Sequence, residues 1–152
     1  MQIKSDFNDL LRALNDGGVR YLVVGGYAVM AYTEPRYTKD LDIWIDTSDE
    51  NARAVFSVLA AFGAPLKNVR WNDFTQPDIF YQLGVEPVRI DIMTSVSGLN
   101  FAEAWNRKAV FDFQGEPAHL ISLADLQTSK MAASRLRDSK DLKRLSRGKR
   151  QR

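Results

Sequence analysis

A glycine pair at the end of a short apolar run, followed after a spacer by two aspartates two positions apart, limits the folds open to this chain more than any other feature. The run Tyr21–Val24 has the composition of a buried strand, and Gly25-Gly26 closes it just ahead of the helix-compatible stretch 27–32. Such a strand-to-helix turn lets backbone amides approach an anion, because glycine has no Cβ and a helix N-terminus presents N–H groups without intrahelical partners. Thirteen residues separate the pair from Asp40-Leu41-Asp42-Ile43-Trp44-Ile45. On a strand, positions i and i+2 share a face, so the Asp40 and Asp42 carboxylates are expected to converge. Like charges held together in a cleft call for a divalent cation, so the segment reads as an anion seat beside a metal seat.

The remaining chain supplies the elements around this segment. Ile3, Phe7, Leu10, Leu11 and Leu14 recur at helical spacing, and Gly17-Gly18 suits a helix stop. Thr47, Ser48 and Asp49 are cap candidates for a helix over about 51–62. A strand is expected over 66–71, and two more over 78–83 and 87–93, joined by a turn at Gly84-Val85-Glu86. In the last of these, Asp91 alternates with Arg89 and Met93, on the face opposite Ile90 and Ile92. A helix over 100–107, a hairpin of 109–113 with 118–121 around Gln114-Gly115, and a capping-box start at Ser122 to Asp125 complete the reading. Helical structure is expected from there to about residue 147.

The expected class is therefore α/β (α+β): a mixed β-sheet flanked by helices, with a C-terminal helical segment. The length of 152 residues fits one domain, with a core over about 1–121, the helical segment over 122–147 and a basic tail over 148–152. Cysteine is absent and there is one histidine, which removes disulfides, thiolate catalysis, Cys-based metal sites and any multi-histidine site within the chain. The longest uncharged stretch, 21–33, falls short of the roughly 20 residues a membrane helix needs, and charges at Lys4, Asp6, Asp9 and Arg12 break up a secretory leader. No membrane partner is expected, and a cytoplasmic location is.

The net charge of +2 conceals an asymmetry. Residues 130–152 hold ten Lys or Arg against two acids, whereas the first 129 carry eleven basic and seventeen acidic groups. Such a basic end is either a soluble frayed tail or a site for a polyanion, RNA or a nucleotide's triphosphate.

If Asp40, Asp42 and Asp91 meet, three carboxylates on neighbouring strands can hold two magnesium ions and leave coordination positions for phosphates and water. The combination Val24-Gly25-Gly26, Asp40-Leu41-Asp42-Ile43 and Ile90-Asp91-Ile92 resembles the DNA polymerase beta-like nucleotidyltransferase superfamily. Arg36-Tyr37-Thr38-Lys39-Asp40-Leu41-Asp42 is similar to the Arg-x-Thr-x-Asp-apolar-Asp form of small bacterial members, including toxins of toxin-antitoxin systems and phage-defence proteins. The series Asp125-Leu126, Lys130, Arg135, Asp138 and Asp141-Leu142 is also similar to theirs.

The resemblance implies a metal-dependent enzyme that moves a nucleotide from a nucleoside triphosphate to an acceptor hydroxyl and releases pyrophosphate. It implies that Gly25 and Gly26 shape the phosphate loop, that Asp40 and Asp42 bind Mg2+, and that Asp91 completes the metal site and helps activate the acceptor. Arg36 falls on the motif and either neutralises phosphate or pairs with a nearby acid, and Thr38 either bonds near the phosphate or simply starts the strand. Lys130 reaches back to the triphosphate or pairs with Asp125. RNA, specifically tRNA, is the favoured acceptor, ahead of a protein side chain or small molecule. The alternative is a catalytically silent nucleotide-binding protein or the partner of a cognate protein in a toxin-antitoxin pair. Trp71, Phe74 and Tyr81 include a candidate base-stacking ring, and His119 is assigned no catalysis.

Overall fold

The computed structural model describes residues 2–34, 40–85 and 88–135. Helix α1 (Gln2–Asp16) buries Phe7, Leu10, Leu11 and Leu14, the expected stripe, on strand β6 and helix α3. It ends where Gly18 takes a left-handed φ of 66° and the Val19 amide bonds back to the Leu14 carbonyl at 3.0 Å. The fully buried strand β1 (Tyr21–Val24) follows and runs straight into helix α2 (Gly25–Tyr32). Next come β2 (Asp40–Ile45) and α3 (Asp49–Phe62), which Ser48 caps by accepting the Asn51 amide at 3.3 Å. Buried Asn51 also ties this helix to the entrance of β1: it accepts the Arg20 amide at 2.7 Å and donates to the Arg20 and Asp46 carbonyls at 3.0 and 2.7 Å.

The strand expected over 66–71 does not form. Local bonds win there: the Val69 amide bonds to the Leu66 carbonyl, and Asp73 accepts the Arg70 amide at 2.9 Å to start a 3-10 helix over Trp71–Thr75. That turn packs on α3 and puts Phe74 wholly inside the core, so Phe74 is no base-stacking ring. Trp71 lies under the Arg53 guanidinium at 3.7 Å, and the Tyr81 hydroxyl donates to the Pro65 carbonyl at 2.8 Å.

β3 (Phe80–Val85) and β4 (Val88–Met93) form an antiparallel pair, with Gly84 opposite Arg89 and Val85 opposite Val88. The first strand thus runs two residues later than expected, because Asp78 has a left-handed φ of 59° and its amide is held by the Ser95 hydroxyl. Helix α4 (Phe101–Asn106) is capped by the Asn100 side chain. β5 (Ala109–Phe113) and β6 (Glu116–Leu120) are joined by Gln114 and Gly115, both at positive φ as a type I′ turn requires.

The sheet order is β3-β4-β2-β1-β6-β5. β1 is antiparallel to β2 and parallel to β6, while β2 is parallel to β4. This is the expected mixed sheet with flanking helices. A last helix, α5, covers 123–135 among the described residues; the rest of the helical segment to 147 and the tail 148–152 lie outside them. Ser122 accepts the Asp125 amide at 3.1 Å, but the Asp125 carboxylate does not close the expected capping box. It takes a forked ion pair from Arg107 instead, with Nε–Oδ2 and Nη2–Oδ1 both at 3.0 Å. Asp125 is therefore committed to Arg107 rather than to Lys130.

Candidate active site

The acids owe their placement to the parallel β2–β4 pair. Asp40 stands opposite Arg89 and Asp42 opposite Asp91, while on the other side of β2 Asp42 stands opposite Val24. Alternation puts Asp40, Asp42 and Trp44 on one face of the sheet, with Arg89, Asp91 and Met93 beside them. The apolar end of that face is roofed by α4, whose Phe101 ring meets Trp44 edge-on at 5.1 Å. The acidic end is met by the turn into α2.

There Gly25 takes a φ of 70°, and a Cβ built on it would strike the Asp42 carboxylate, with the Asp42 Cγ only 2.9 Å away. The glycine is thus required twice, for its left-handed backbone and for the close approach of the carboxylate. Gly25 and Gly26 open α2, whose N-cap Val24 offers no side-chain acceptor to the first-turn amides. Those amides and the Asp42 carboxylate occupy one corner.

Asp91 is 4% exposed and stands directly opposite Asp42 in the ladder, so the two carboxyl groups crowd one another. Burial first, then the bond to Asp91 and the charges of Asp91 and Asp40, push the Asp42 carboxyl up to about 7, against an opposing pull from Arg89. Asp40 Oδ2 accepts a 2.7 Å bond from Arg89 Nη2, and Arg89 Nε lies 3.6 Å from Asp91 Oδ1. Asp40 Oδ1 and Asp91 Oδ1 are buried oxygens with no hydrogen-bond donor. An all-oxygen donor set with orphaned acceptors and mutual repulsion fits a hard divalent cation such as Mg2+. Among the described residues, however, no three His, Asp or Glu side chains converge on a single ion position. Asp42 and Asp91 form the meeting pair, and Asp40 is turned to Arg89.

Of the other residues singled out in the sequence, Arg36 and Thr38 lie outside the described residues. Lys130 is exposed on α5. Arg89 is the site residue that sequence reasoning passed over. Its signal was available: it lies two residues before Asp91 on the same strand face. A cavity of about 470 Å³ lined by Asn15, Arg20, Trp105, Glu116 and His119 opens at the other end of β1 and takes no part in this site.

A six-stranded mixed sheet with a glycine turn beside paired strand carboxylates is the framework of a nucleotidyltransferase. Residues 1–146 match the model of the family described as "nucleotidyltransferase of unknown function (DUF6036)", and the chain belongs to that family. TM1012 from Thermotoga maritima, a proposed nucleotidyltransferase, has a similar fold: TM-score 0.71 at 18% identity, covering 93% of this chain and 91% of that one. Lincosamide antibiotic adenylyltransferase LnuA, in its lincomycin-bound form, gives a TM-score of 0.55 at 18% identity over 81% of this chain and 82% of its own. No curated protein matches the chain in sequence. Among the described residues, no helix is long and apolar enough to cross a membrane.

Proposed function

We propose that the chain is a magnesium-dependent nucleotidyltransferase that takes a nucleoside triphosphate and transfers its nucleotide to an acceptor hydroxyl. The observation that carries this reading is the register of Asp42 with Asp91 across parallel strands, at the corner where Gly25 starts α2. Asp42, Asp91 and Asp40 would hold the metal, which when bound supplies positive charge for the phosphates and the developing oxyanion. The α2 amides after Gly25 receive phosphate oxygens at the positive end of the helix dipole. Asp91, buried opposite Asp42, accepts the proton of the acceptor hydroxyl. The acceptor oxygen bonds to the α-phosphorus as the α–β phosphoanhydride bond breaks, and pyrophosphate leaves with the bonding pair.

Arg36, Thr38 and Lys130 are assigned to the triphosphate on the strength of the motif. RNA, with tRNA first, is the favoured acceptor because of the basic end, and the cytoplasm and a cognate partner protein complete the reading. The test is incubation with each labelled triphosphate, Mg2+ and total cellular RNA, with wild type, Asp42→Asn and Asp91→Asn side by side. Label in RNA and pyrophosphate release by wild type alone is the expected result. Label in a protein or small-molecule fraction would move the acceptor. Nucleotide affinity without pyrophosphate release would favour the silent binding protein.

A further inference from the structure

We propose that Arg89 is the resident counter-ion of the acidic cluster and that a divalent cation must take Asp40 from it to complete the site. The inference rests on the metal reading above and adds a residue that competes with the ion. Arg89 and Asp91 occupy alternate positions of β4, opposite Asp40 and Asp42, so the guanidinium shares the sheet face that carries the three carboxylates. It grips Asp40 at 2.7 Å and stands 3.6 Å from Asp91, bridging the outer acid to the buried one.

Three carboxylates at adjoining ladder positions repel one another, and a positive charge between two of them offsets that repulsion before any metal arrives. The same charge repels an incoming cation and occupies an Asp40 oxygen. This accounts for the pair-plus-one geometry: Asp42 and Asp91 stand opposite one another, while Asp40 is held by Arg89 with its other oxygen, Oδ1, buried and without a donor. Arginine suits the role because its guanidinium keeps its charge at any accessible pH and its fork can face two carboxylates at once. A lysine there would carry a point charge able to follow only one of them.

A purely structural ion pair and a competitor predict opposite metal affinities once Arg89 is removed. Mn2+ binding to the full chain, measured by calorimetry without nucleotide, is compared for wild type, Arg89→Gln and Arg89→Lys, with melting in EDTA and in Mg2+ alongside. Arg89→Gln should bind Mn2+ about tenfold more tightly, because a positive charge next to the ion has gone. It should also melt lower in EDTA and gain more from Mg2+ than wild type does. Arg89→Lys should fall between the two, and serves if the glutamine variant does not fold. Affinity in either folded variant equal to or weaker than wild type would overturn the competition while leaving the metal site standing. Absence of Mn2+ binding in wild type, or binding that Asp42→Asn leaves unchanged, would remove the metal site and this inference with it.

Discussion

A methyl group added at Gly25 would land on the Asp42 carboxylate and would sit on a backbone at φ 70° that side chains disfavour. Gly25→Ala is therefore expected to cost on the order of 1–2 kcal/mol of stability and to remove nucleotide transfer, read from thermal melts and pyrophosphate release on one preparation. Asp42→Asn should act in opposite directions on the two readouts. Transfer is lost with the charged carboxylate, but repulsion with Asp91 and Asp40 is relieved, so the metal-free variant should gain on the order of 1 kcal/mol, a few degrees in melting temperature. A variant that melts below wild type in EDTA would contradict the strained-pair description. His119 makes a separate pH prediction. Burial first, with Lys108 adding, lowers its pKa below 6.5 in the fold, where its ring meets Trp105 at 4.9 Å and Tyr21 at 5.3 Å. Because the folded value is depressed, this contribution to stability is present above pH 6.5 and is lost as the pH falls toward the folded value. The acid limb of the stability profile should thus be shallower in His119→Gln, as urea unfolding at several pH values would show.

Among the elements, the junctions carry as much of the site as the strands do. Asn51 closes the gap between the start of α3 and the entrance of β1, satisfying backbone groups of Arg20 and Asp46 that would otherwise be left without partners. Asn51→Leu keeps the size of the side chain and leaves those groups orphaned, so it should cost about 2–3 kcal/mol in urea denaturation. α5 is tied down in a comparable way. Arg107, just past α4, forks onto the Asp125 carboxylate, which is 7% exposed, and Gly98 leaves room for Ala132 further along the helix. That course sets where Lys130 stands, and no reading of Lys130 from its spacing after Asp125 could anticipate it. The missing strand at 66–71 has the same kind of cause. Its apolar residues are real core contacts, but they serve a turn and a 3-10 helix packed on α3, and an apolar run of that length carries no period that distinguishes the two.

For the molecule as a whole, the distribution of charge bears on the acceptor. The described body carries the acidic site, and most of the ten basic residues of 130–152 lie beyond Arg135. If that end guides RNA, affinity should fall steeply with salt, with a log-log slope of roughly −3 for four contacts to a single strand. Substituting Lys143, Arg144 and Arg147 by Gln should flatten the slope and weaken RNA binding without changing triphosphate affinity. RNA binding indifferent to both salt and the triple substitution would return small-molecule and protein hydroxyls to the front.

The sequence by itself determined what depends on short-range periodicity and stereochemistry. A period of two places Asp40 and Asp42 on one face, the glycine pair marks the strand-to-helix turn, and the α1 stripe and the Gln114-Gly115 hairpin follow from local rules. Only the tertiary structure decided which strand lies beside which. With β4 set parallel against β2 in this register, Asp91 falls opposite Asp42 and Arg89 opposite Asp40; a shift of one residue would turn both charges to the other face of the sheet. Packing at the end of β1 then brings the bare Cα of Gly25 against that same carboxylate. Register and approach of this kind are fixed by the burial of residues far apart in the chain, so alternation alone puts Arg89 on the face of Asp91, while its pairing with Asp40 on another strand is decided only in the folded sheet.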